Sequence, residues 1–134
     1  MYLGRKSINK AVGLLSALLL SGNCLAAQFD KDSLAIQATY LGVSLNELAK
    51  ANTKEYCSFD VDYSGTILKN TASLIRGNRN EVAQENLAFA ARALERVRSN
   101  SADCRFFSSM VHPYIEQTRQ LISELNWLLH ATAH

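Results

Sequence analysis

Three oxygen-bearing side chains at alternate positions, Asp60, Asp62 and Ser64, are followed by Gly65 and the aliphatic Ile67. A hard divalent cation takes several oxygens at once, and a glycine lets the chain turn sharply enough for alternate residues to converge on one ion. Asp60, Asp62 and Ser64 are thus candidate ligands for a divalent metal ion. The plainer reading makes the two aspartates solvated or capping residues near a helix start. A second constellation is cationic: Arg92, Arg96, Arg98 and Arg105. Guanidinium groups meet carboxylates in a planar, bidentate way, so these four are the candidate partner-binding residues for an acidic partner. Equally, with Glu81 and Glu85 at the start of the same segment, the arginines at its end complement a helix macrodipole and need no ligand.

The acidic stretch resembles the opening of an EF-hand calcium loop, with oxygens at loop positions 1, 3 and 5, glycine at 6 and an aliphatic at 8. Position 12 departs from it. Thr71 stands where the EF-hand carries a bidentate Glu, so the resemblance implies at most a weak, millimolar site. Residues 41–52, LGVSLNELAKAN, look like the closing helix of a LysM glycan-binding module and like part of a helix-turn-helix. The likeness ends there, because no Gly-Asp-Thr opening precedes it.

Other chemistries find less support. His130 and His134 are one helical turn apart, a spacing that binds metal, yet no third ligand is evident. His112 beside Pro113 and Met110 suggests the haem pocket of a four-helix cytochrome, against the commoner reading as packing residues. No nucleophile–base spacing, glycine-rich phosphate loop or HExxH occurs, so we expect no enzyme.

The compartment is read from the N-terminus. Arg5, Lys6 and Lys10 precede the apolar run from Ala11 to Leu20, and small residues follow at Ala26 and Ala27. That is the pattern of a secretory signal over residues 1–27, too short to span a bilayer. Cleavage after Ala26 places Cys24 at −3. The alternative is a lipoprotein acylated on Cys24, which Asn23 just before it disfavours. Of 14 Lys and Arg, three fall in this segment, leaving 11 against 12 Asp and Glu. Without that basic excess the remainder has no electrostatic reason to bind nucleic acid. Cys57 and Cys104 remain, and an even count in an oxidising compartment reads as one disulfide.

Residues 28–134 suit a single all-α domain. After Ala27 there is one proline, Pro113, and three glycines, Gly42, Gly65 and Gly77. Apolar spacing predicts a helix over 31–51 with Leu34, Ala38, Leu41, Leu45 and Leu48 inward, Gly42 bending it and Ser44 with Glu47 restarting it. A second helix is expected over 53–76, capped by Asn52 and Glu55, with Tyr56, Phe59, Tyr63, Ile67, Leu74 and Ile75 on its apolar side. A third follows over 78–99, capped by Asn78 and Glu81. Ala83, Leu87, Ala90, Leu94 and Val97 form its stripe, widened by Val82, Phe89 and Ala93. The last runs over 101–131, kinked at Pro113. Four such helices predict a small antiparallel bundle, in which Cys57 and Cys104 lie at one end. Bridging them closes a loop worth about 4 kcal/mol on the chain-entropy model.

The functional expectation is a non-enzymatic interaction protein of a bacterial envelope, periplasmic or secreted. It would serve as a chaperone, secretion accessory, inhibitor or immunity-type partner of another envelope or secreted protein. A calcium-binding module using residues 60–71 is the alternative.

Overall fold

The computed structural model describes residues 30–132, so residues 1–27, expected to be a secretory signal, with Cys24 among them, and His134 lie outside the described residues. Five helices follow in order: α1 Lys31–Ala51, α2 Ser58–Arg76, α3 Asn80–Ser99, the single turn α4 Arg105–Ser108, and α5 His112–Thr132. No strand occurs among the described residues. Asp30 starts α1 by accepting a hydrogen bond from the Ser33 amide at 2.8 Å, which satisfies one of the donors a helix start leaves open.

The helices close a ring of contacts: α1 packs on α2, α2 on α3, α3 on α5, and α5 on α1. Neighbours run in opposite directions. Asn46 lies against Asp62, and Ala49, one turn on, lies against Ser58, four residues earlier in α2. Likewise Glu95 meets Arg119 while Gln84, earlier in α3, meets Asn126, later in α5. At the centre Leu34, Leu45, Leu68, Ile75, Leu87, Leu94, Ile115 and Leu125 are fully buried. Each contributes roughly 1.5–3 kcal/mol by leaving water. The short α4 contributes Phe107, also fully buried. Buried hydroxyls cost little here because each donates to the carbonyl one turn back: Ser64 to Asp60, Thr71 to Ile67 and Thr118 to Tyr114.

Cys57 and Cys104 form a disulfide, with Cα atoms 5.4 Å apart and a sequence separation of 47. Each immediately precedes a helix, α2 for Cys57 and α4 for Cys104.

Four local expectations are corrected. The helix α1 runs unbroken through Gly42, with no restart at Ser44; Gly42 packs against Gly65 of α2. The second helix begins at Ser58 rather than near 53. Asn52 ends α1 instead, its side-chain amide donating to the Leu48 carbonyl. Asn78 does not start the third helix but turns the chain after α2 in a left-handed conformation, φ 62°, which asparagine tolerates better than most residues. Finally, the last segment is broken, not kinked. α4 ends at Ser108, α5 begins at His112, and Pro113 occupies the first turn, where its missing N–H has no helical partner to lose.

Candidate functional site

The core side of α2 is built from small or slim residues, Val61, Ser64, Gly65, Leu68, Thr71, Ala72 and Ile75. Residues 59 and 63 share a helical face, but 100° of turn per residue carries that face well away from 61, 68 and 75. Phe59 is consequently 77% exposed and Tyr63 48%, with Tyr56 just before the helix at 80%. This corrects the expectation that these aromatics line the core. The apolar pattern holds at Ile75, which is buried, and at Ile67 and Leu74, which pack against the core, while the three aromatic rings turn outward.

On α3 the expected second stripe meets them. Ala93 is buried, whereas Phe89 and Val82 remain 40% and 36% exposed. Phe89 packs edge-on against Tyr63, ring centroids 6.2 Å apart, and Tyr63 stacks parallel to Phe59 at 6.1 Å. The result is a run of three rings along the outer seam of α2 and α3, open to solvent. Sequence spacing alone missed it, although the 59–63 separation of one turn was the available signal.

Arg92 and Arg96 continue the Phe89 face of α3, one and two turns farther on, and both are exposed. Neither forms an ion pair among the described residues. Arg96 also lines a cavity of about 240 Å³ with Asp60, Asn100 and the disulfide cysteines. The other two predicted arginines stand apart. Arg98 lies nine residues from Phe89, half a turn around the helix, and its guanidinium donates to Glu95 at 2.7 Å. Glu95 also accepts from Arg119 of α5. The Arg98 hydrogen bond, chiefly, holds the Glu95 carboxyl below its ordinary range, helped by the charges of Arg98, Arg119 and His112 and opposed by partial burial. Arg105 is exposed at the start of α4.

The acidic stretch does not form a loop. Residues 60–71 lie inside α2, so Asp60, Asp62 and Ser64 are distributed around a helix instead of wrapping an ion. Ser64 is fully buried, and Asp62 accepts from the Asn46 amide at 2.7 Å. Gly65 has a close-packing role, described below, in place of the turn an EF-hand requires. Residues 41–52 likewise form the end of α1 and its cap, with no internal turn.

Among the described residues no group of three His, Cys, Asp or Glu is placed to hold a metal ion. His130 donates through Nδ1 to the Asn126 carbonyl. Met110 lines a cavity of about 560 Å³ with Ser44, Leu48, Ser109, Pro113, Tyr114 and Gln117, and His112 is not part of that lining.

Among the described residues, no helix is long and apolar enough to cross a membrane. Comparison with family models finds no match to this chain, and comparison with curated proteins and solved structures finds none similar to it.

Proposed function

We propose that this chain is an exported, non-enzymatic interaction protein of the bacterial envelope, a disulfide-tied antiparallel helical bundle that docks an acidic protein surface. A chaperone, secretion accessory, inhibitor or immunity-type partner all fit this description. One observation carries the reading: Phe59, Tyr63 and Phe89 expose a contiguous aromatic run beside Arg92 and Arg96, neither of which forms an ion pair among the described residues. Aromatics and arginine are the residues that interfaces enrich and that carry most of their binding energy. Water gains when such rings are covered, and a fixed helical frame loses little entropy on binding. The basic N-terminal segment and the disulfide support export.

The test is site-specific photo-crosslinking in the native envelope, with the probe replacing Tyr63 in the full-length chain. A discrete adduct is expected, lost on R92E/R96E while helicity and melting temperature stay as in the parent. Equal adduct yield from the charge-reversed protein, or recovery of the chain in the cytoplasm with both cysteines free, would overturn the proposal.

A further inference from the structure

The solvent face of α3 carries more than its arginines. Glu81 and Glu85 lie on the same outward side as Arg92 and Arg96, and all four are exposed with no ion pair among the described residues. Their spacing is symmetric. Glu85 and Arg92 are centred between Ala88 and Phe89, and so are Glu81 and Arg96. Taken together, positions 81, 85, 88, 92 and 96 advance by three or four residues, the separation that keeps side chains on one helical face.

A helix face with this symmetry is complementary to itself turned end over end. If two copies of α3 cross antiparallel about that midpoint, Glu85 of each meets Arg92 of the other, and Glu81 meets Arg96. The same register sets the Phe89 ring of each copy over Ala88 of the other, a small residue that leaves room for it. Tyr63 and Phe59 extend the apolar centre to one side of Phe89 on each copy. Two-fold interfaces are built in this isologous way, one patch serving both partners. Surface ion pairs add little by themselves, so the covered rings would supply affinity and the charges would fix register and partner choice.

We infer that the acidic surface this face docks is the acidic half of the same face on a second copy of the chain, giving a two-fold homodimer through α3. This rests on the reading of the α2–α3 seam as a protein-docking surface and names its occupant. A helix that merely complements its own macrodipole has the same charge order, but it has no need of exposed rings at the charge midpoint and does not associate.

The experiment is sedimentation equilibrium on the mature, oxidised protein and two charge-reversed variants. R92E/R96E makes the face wholly acidic, and E81R/E85R makes it wholly basic. The parent is expected to dimerise, each variant alone to be monomeric, and their equimolar mixture to restore a dimer, since acidic and basic faces then pair at both ends. Salt should weaken the parent dimer by screening. Reversed charges also oppose the helix dipole, so circular dichroism accompanies each sample, and the neutral R92Q/R96Q variant serves if a reversed one unfolds. It should dimerise at least tenfold more weakly than the parent. A monomeric parent, a reversed variant that still dimerises, or a mixture that stays monomeric would each overturn the homodimer. If in any of these cases R92E/R96E still abolishes the envelope crosslink at Tyr63, the docking face stands and its occupant is another protein.

Discussion

Gly42 of α1 and Gly65 of α2 lie face to face at the helix crossing. A Cβ on Gly42 would come 2.5 Å from the Gly65 carbonyl oxygen, and one on Gly65 would come 2.6 Å from that of Gly42. No side chain fits between backbones this close, so the crossing depends on both residues lacking one. In an exposed helix alanine would gain about 1 kcal/mol over glycine. Here Gly65→Ala must push two helices apart, and overpacking of this kind costs about 1–3 kcal/mol. We expect a net loss of stability and a melting temperature lower by several degrees. Thermal unfolding followed by circular dichroism decides it; a variant melting at or above the parent would mean the crossing is loose.

Asp60 and Asp62 should behave differently from each other. Asp62 accepts from Asn46, which is nearly buried, so Asp62→Ala is expected to cost about 1 kcal/mol. Asp60 is exposed in the first turn of α2, and Asp60→Ala should cost a few tenths of a kcal/mol through the helix dipole. Millimolar calcium should leave the melting temperature of parent and variants unchanged. Equal losses from both variants together with calcium-dependent stabilisation of the parent would restore the cation site.

Glu95 ties α3 to α5 through Arg119 and pairs with Arg98 on its own helix. Its carboxyl is held below the ordinary 4.5, first by the Arg98 hydrogen bond. A depressed folded pKa contributes stability that is present above the unfolded value and fades as pH falls through the folded one. All three side chains are partly exposed, which limits the gain to about 1 kcal/mol or less. Glu95→Gln should therefore lose that much at neutral pH. Urea titrations across the acid range should show parent and variant converging below 4.5. A constant gap at every pH would show that Glu95 acts by packing alone.

The helices themselves were legible because their apolar period is regular. Leu34, Ala38, Leu41 and Leu45 in α1, and Ala83, Leu87, Ala90, Leu94 and Val97 in α3, are all buried as their spacing requires. The disulfide followed from an even cysteine count in a chain read as exported, and its two helix starts at one end agree with it. What spacing hid was scale. In α2 the aromatic rings face out while Val61, Ser64, Gly65, Leu68 and Ile75 face in, and near Gly65 the backbone of α1 at Gly42 leaves no room for a ring. Ile75 is buried and Ile67 and Leu74 pack against the core as expected, but a hydrophobicity pattern weights Phe59 and Tyr63 above Ser64 and Gly65, so it placed the aromatic rings on the wrong side. The same oversight turned Gly65, a packing residue, into the pivot of a calcium loop. Arg98 was grouped with Arg92 and Arg96 by proximity along the chain, whereas the helical turn sends it toward Glu95 and α5.

The bridge between Cys57 and Cys104 encloses α2 and α3 entirely, leaving α1 and α5 as the two arms outside the loop. A pull applied to the two ends of the oxidised chain therefore travels along α1, across the sulfur–sulfur bond, and out through α4 and α5. None of it enters residues 58–103. The aromatic run and both arginines lie within that slack segment. Stretching the protein can peel away its arms while the face bearing Phe59, Tyr63, Phe89, Arg92 and Arg96 carries no tension. Once the bond is reduced, the same pull passes directly through it.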